Sequence, residues 1–256
     1  MAKPEQISSV ANPLVKSVRR AIARGTLTEE GLCVAESFHL LEEALRSDCS
    51  VKTVLAARSV ESAVETHVRR LQGIRIAVLP DALFQSLAGT ETSQGVIALV
   101  RPPRWTVEQL FRGQALAVIL DGLQDPGNAG SILRAAEAFG ASGVVFLKGS
   151  VNPYNPKCLR ASAGSVFRVP LVGAMDAHLL LAATEQRQIE LLALMPQGTL
   201  ELAETNFCRK CAIIVGSEGR GVSERLRAKA IDVRIPTVAV ESLNPRPPWR
   251  SPTRAR

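Results

Sequence analysis

The chain has 256 residues and carries 31 Lys and Arg against 24 Asp and Glu, a net charge of +7. That length allows one large domain or two small ones with real cores, and no stretch resembles a transmembrane span or a signal peptide, so a cytoplasmic location and no membrane partner are expected. Five cysteines at 33, 49, 158, 208 and 211 argue against a disulfide framework, and Cys208-x-x-Cys211 lacks the second pair that a zinc site of about four ligands needs, so no metal is expected.

In chain order, Asn12-Pro13 opens a helix over 12–24, an N-cap residue followed by Pro at the first helical position. Lys16, Arg19, Arg20 and Arg24 crowd this segment and read equally as a solvated basic face or as phosphate contacts. A strand over 31–35 follows, and Ser37 caps a helix with Leu40, Leu41, Ala44 and Leu45 on one side. Strands over 51–56, 74–78 and 94–100 then alternate with helices over 60–72 and 80–88. The unit ends at Arg101-Pro102-Pro103-Arg104, a Pro-containing linker, and Trp105 reads as a packing residue.

Residues 116–120 form an apolar strand ending in Asp121-Gly122. Asn128 is the expected N-cap of the next helix, which places Ile132, Leu133, Ala136 and Phe139 at helical spacing and closes at Gly140. Strands over 144–147, 189–194, 212–215 and 231–235 follow, with helices over 157–164 and 174–187 and a short one capped by Ser223. Such alternation predicts an α/β fold with a parallel sheet covered on both faces. Neither G-x-G-x-x-G nor a Gly-Lys-Ser/Thr phosphate loop is present, which excludes the common nucleotide fingerprints.

Three clusters sit at strand ends: Asn128-x-Gly130-x-x-x-Arg134, the segment Val215-Gly216-Ser217-Glu218-Gly219-Arg220-Gly221, and Ile235-Pro236 with Glu241-Ser242-Leu243-Asn244. In this order they closely resemble the motifs of the SpoU/TrmH ribose 2′-O-methyltransferases, S-adenosylmethionine enzymes of the SPOUT class. The first hundred residues are similar to the small ribosomal-protein-like substrate-binding domain of that family, through Glu29-Glu30-Gly31-Leu32, Ala35-Glu36 and Ser93-Gln94-Gly95-Val96.

The resemblance implies a substrate-binding domain over 1–101, a linker over 102–115 and an α/β-knot methyltransferase domain over 116–244. It implies methyl transfer from S-adenosylmethionine to a ribose 2′-hydroxyl of structured RNA, ribosomal or transfer. By resemblance Arg134 is the catalytic residue, Asn128, Glu218, Ser242 and Asn244 build the site, and Gly216, Ile235 and Leu243 hold the cofactor. An Arg is a poor general base, so Arg134 is expected to act as a cation on a phosphate and on the forming alkoxide, with the proton going to Glu218 or water.

The family continues after Ser-Leu-Asn into a long helix that closes the cofactor site and pairs the subunits of a homodimer. Here Asn244 is followed by Pro245, Pro247, Pro248 and Pro252, and each Pro inside a helix costs about 3 kcal/mol. The 245–256 segment therefore reads as a disordered Pro/Arg tail in place of the final knot helix, from divergence or from an out-of-frame ending. A second function stays open on that ground, an RNA-binding protein without catalysis.

Overall fold

The structure, a computed structural model, describes residues 4–47, 49–69, 71, 73–90 and 92–236. The first half runs β1 (Glu5–Gln6), α1 (Pro13–Arg24), β2 (Cys33–Glu36), α2 (Phe38–Arg46), β3 (Ser50–Ala57), α3 (Glu61–Val68), β4 (Arg75–Leu79), α4 (Asp81–Gln85) and β5 (Val96–Arg101). Its sheet has the order β1-β4-β3-β5-β2, with β5 antiparallel to both neighbours. Asn12 accepts a hydrogen bond from the Leu14 amide and Ser37 one from the Leu40 amide, so both expected caps form. Val15, Val18, Ala21, Leu83 and Phe84 cover one face of the sheet from α1 and α4.

The second half runs α5 (Val107–Leu110), β6 (Leu116–Asp121), α6 (Pro126–Ala138), β7 (Gly143–Leu147), α7 (Pro156–Ala161), β8 (Leu171–Met175), α8 (Ala177–Gln186), β9 (Glu190–Leu194), β10 (Leu200–Glu201), β11 (Cys211–Gly216), α9 (Glu224–Arg227) and β12 (Ile231–Arg234). Every pairing in its sheet, of order β10-β12-β9-β11-β6-β7-β8, is parallel. Side chains of β6 alternate between two cores. Ala117 and Ile119 join Val145, Leu180, Leu191 and Ile214 on one face. Leu120 on the other joins Leu133 of α6 and Leu159 of α7. Trp105 packs against the first of these cores.

Three expectations are corrected. The N-cap of α6 is Asp125, whose side chain accepts from the Asn128 amide at 2.8 Å, with Pro126 next in line. Phe139 is 84% exposed and lies off the buried stripe of Ala129, Leu133 and Ala136. Residues 171–175, counted partly in a helix over 174–187, form strand β8, and α8 starts only at Ala177. Gly140 does end α6, at φ +70°, with the Ala141 amide bonded back to the Ala136 carbonyl. Ser242, Leu243, Asn244 and the 245–256 tail lie outside the described residues.

Candidate active site at the carboxyl edge of the parallel sheet

From β6 the chain steps outward to β7 and β8, then crosses to fill the other side, so that β11 comes to lie beside β6 with Gly216 level with Asp121. In open parallel sheets a reversal of this kind leaves a crevice at the carboxyl ends of the strands. A cleft of about 540 Å³ occupies that place, lined by Asp121, Gly122, Gln124, Gly149 and residues of the 217–223 segment. Its size falls within the range of about 300–1,000 Å³ usual for small-ligand sites.

The strand exits are tied to one another. The Ser217 amide donates to the Gly221 carbonyl at 3.0 Å and the Gly221 amide returns to Ser217 at 2.9 Å, closing a tight turn. The Asp121 carboxylate accepts from the Ser223 amide at 2.7 Å, while the Ser223 side chain makes no capping bond to α9. Ser150 accepts from the Gly122 amide at 3.0 Å and donates to the Leu120 carbonyl at 2.9 Å. The Gln124 side-chain amide bonds the Gly149 carbonyl. A Cβ on Gly216 would stand 2.0 Å from the Gly221 carbonyl carbon, so only Gly lets the turn fold back this closely.

Two of the sequence clusters meet at this edge. Asn128 Nδ2 donates to Glu218 Oε1 at 3.1 Å, and the amides of Asp125 and Gln124 approach the same carboxylate at 3.4 and 3.5 Å. Partial burial pushes the Glu218 carboxyl up, yet its own amide, the Asn128 side chain and the two loop amides outweigh this and hold it below the ordinary glutamate value. Glu218 is therefore an ionised acceptor at neutral pH. Gly130 has a different use. A Cβ there would lie 2.5 Å from the Cys158 carbonyl oxygen and 2.6 Å from Ala161 Cβ, so Gly130 allows α7 to cross close over α6.

Arg134 is exposed and has no hydrogen bond or ion pair among the described residues. Six residues along α6 place it ~9 Å from Asn128 along the axis and roughly 120° around it, so the two face different directions. Gly216 ends β11 and Ile235 follows β12, with the end of β9 between them, and Ile235 is 39% exposed. Lys16, Arg19, Arg20 and Arg24 share the exposed face of α1; Arg20 pairs with Glu29, and Arg19 bonds Ser86 Oγ at 3.2 Å. Cys211 is buried and Cys208 exposed. Among the described residues no group of three His, Cys, Asp or Glu side chains could hold a metal ion.

Sequence reasoning passed over Asp121, Gln124 and Ser150. The signal for Ser150 was present, since Gly149 follows a strand just as Gly122 does.

A Gly-lined crevice of this size at the carboxyl edge of a parallel sheet, beside a separate α/β unit with a basic helix, is the arrangement of an α/β protein with a small-ligand site. The profile of the SpoU rRNA Methylase family matches residues 115–245, and that of the MRM3-like substrate binding domain matches 12–98. The chain belongs to the SpoU rRNA Methylase family. It is 33% identical over 246 residues to an uncharacterised tRNA/rRNA methyltransferase of Synechocystis, covering 93% of this chain and 88% of that one. It is 30% identical over 244 residues to the 23S rRNA (guanosine(2553)-2′-O)-methyltransferase RlmP of Bacillus subtilis, covering 94% of each. The crystal structure of the SpoU methyltransferase AviRb from Streptomyces viridochromogenes in complex with AdoMet superposes with a TM-score of 0.83 at 25% identity, over 91% of this chain and 92% of that one.

Proposed function

We propose that this chain transfers a methyl group from S-adenosylmethionine to a ribose 2′-hydroxyl of structured RNA, ribosomal or transfer. The observation that carries the reading is the Asn128–Glu218 hydrogen bond, which joins the first two motifs beside the cleft that Gly216 shapes. The residues present fit the cofactor. The cleft is rich in Gly and open backbone, and Gly216, where a Cβ would strike the Gly221 and Val222 backbone, lets the 217–221 turn close tightly at its edge. When bound, S-adenosylmethionine supplies a methyl group on a sulfonium sulfur. Gly216 and Ile235, with Leu243, are the residues we assign to holding it.

Arg134 acts as a cation that grips RNA phosphate and steadies the charge growing on the ribose oxygen. Asn128 is oriented by Glu218, whose carboxylate is held ionised by its donors. That leaves Glu218 better suited to orienting Asn128 than to taking a proton, and the hydroxyl proton goes to water. Ser242 and Asn244 complete the proposed site. Residues 1–101 act as the RNA-binding domain, joined by 102–115 to the methyltransferase domain of 116–244, with Lys16, Arg19, Arg20 and Arg24 on phosphates.

The RNA substrates named for the relatives support a cytoplasmic location. The four prolines after Asn244 support weak self-association in place of the family's dimer. Calorimetry with S-adenosylmethionine, together with transfer of labelled methyl to total RNA, tests the reading. Cofactor binding with methylation supports it, whereas RNA binding with neither would favour the non-catalytic alternative.

A further inference from the structure

The two sheets share an ionic seam that the methyl-transfer site does not use. Glu36, at the end of β2, is 4% exposed. Its Oε1 accepts from Thr90 Oγ1 at 2.7 Å, and its Oε2 from the Gly89 amide at 3.0 Å and from Arg160 Nη1 of α7 at 3.3 Å. Arg168 makes a second crossing. Its Nε and Nη2 fork onto Glu137 of α6 at 2.5 and 3.0 Å, while Nη1 pairs with Glu43 of α2. Around both runs one continuous apolar core, with Ala35, Leu40 and Leu41 from the first sheet's side against Leu133, Leu159 and Phe167 from the second's.

Apolar packing is non-directional, and a buried carboxylate is costly unless paired and hydrogen-bonded. A paired charge at such a seam specifies one orientation among those that apolar contact alone would allow. What it orients is visible. At the end of α1, a Cβ on Gly25 would meet Asn155 Nδ2, on the N-cap of α7, at 2.3 Å. Two residues on, Lys157 Nζ stands 3.9 Å from Asp125 at the start of α6. The end of α1 thus abuts the start of α7, which stands beside the start of α6, next in sequence to Gln124 of the cleft.

We infer that Glu36–Arg160 and Glu43–Arg168–Glu137 form an ionic clasp that holds the two domains as one rigid body and fixes the reach from RNA gripped on α1 to the methyl-transfer cleft. These are positioning residues, and none lines the cleft. The inference rests on the methyltransferase reading.

The test is the double variant Glu36→Gln, Glu43→Gln, which keeps side-chain volume and removes both charges, beside Arg168→Lys, which keeps the charge and loses the fork onto Glu137. Three quantities are read: cofactor affinity by calorimetry, single-turnover methylation at saturating RNA, and the rate of tryptic cleavage after the exposed linker residue Arg104. The clasp predicts cofactor affinity within about twofold of the parent, since the cleft is untouched. It predicts a single-turnover rate lower by about 10–100-fold, the scale of a displacement of about 1 Å at the reacting groups. Linker cleavage should quicken in the double variant, with Arg168→Lys between it and the parent in both rate and cleavage. Faster cleavage with an unchanged rate overturns the inference, as does a lost rate with unchanged cleavage. A parent that methylates no RNA sinks the activity reading instead; linker cleavage then decides the clasp alone, and equal protection in parent and double variant overturns it. Should the double variant fail to fold, Arg168→Ala, at a side chain 34% exposed, is scored by the same criteria.

Discussion

Gly216→Ala tests the geometry of the cofactor cradle most sharply. The added methyl would lie 2.0 Å from the Gly221 carbonyl carbon, 2.2 Å from the Val222 amide nitrogen and 2.3 Å from the Gly221 oxygen. All three are backbone atoms of a turn closed by the two hydrogen bonds between Ser217 and Gly221, so no flexible side chain can yield. Either the end of β11 or the turn must move by about an ångström. Overpacking of this kind costs about 1–3 kcal/mol. If the cost falls on the bound geometry, S-adenosylmethionine affinity drops by roughly 5–150-fold, each ~1.4 kcal/mol being a factor of ten. Gly173→Ala in β8 is the control, because it lies outside the cleft and a Cβ there meets only Pro153 at 3.5 Å, an ordinary contact. Calorimetry on both variants, with thermal melts to separate folding loss from binding loss, reads the difference. A Gly216→Ala protein that melts like the parent and binds cofactor within twofold of it would refute the reasoning, as would an equal loss in Gly173→Ala.

Arg134→Ala should leave cofactor affinity unchanged and lower single-turnover methylation by about 10²–10³-fold, the scale of one preorganised donor; near-normal turnover removes Arg134 from the site. Glu218 is held below its ordinary value, so the bonds from Asn128 and the loop amides contribute fully above the unfolded glutamate value and are lost as pH falls through the folded one. Glu218→Gln should therefore lower the rate without changing the shape of the pH–rate curve between about pH 6 and 8, and loss of a limb there would make Glu218 the base. Replacing Lys16, Arg19, Arg20 and Arg24 by Gln should flatten the salt dependence of RNA binding by roughly 0.7–0.9 in log–log slope for each phosphate that is no longer neutralised, and an unchanged slope would leave this face merely solvated.

Local signals were legible wherever a single residue decides the backbone. Asn12-Pro13, Ser37 and Gly140 did so, and each forms the cap or stop its chemistry dictates. The start of α6 was misread because Asp125 and Asn128 are both good caps; Pro126, suited to the first helical position, was the signal favouring Asp125. Strand β8 was hidden by its composition. Gly173 and Ala174 are small and exposed, Ala174 sits at φ +53°, and the pairing with β7 shifts register there, so neither period shows. The motif residues of the site could be read, but not their meeting. Asn128 and Glu218 are 90 residues apart, and Glu36 and Arg160 are 124 apart, so their contacts exist only once the sheets have formed. Gly130 fits a motif, yet its physical use, close helix crossing, appears only with α7 in place.

The chemistry is read most directly from where the methyl lands. RNA incubated with the protein and S-adenosylmethionine labelled in its methyl group is hydrolysed in alkali, which cuts only where a free 2′-hydroxyl can attack the neighbouring phosphate. Transfer to a ribose 2′-oxygen predicts label in an alkali-stable dinucleotide, lost when Arg134 is replaced by Ala. Label recovered in mononucleotides, on the base, would contradict the account, as would a protein that binds the cofactor and yet labels no RNA.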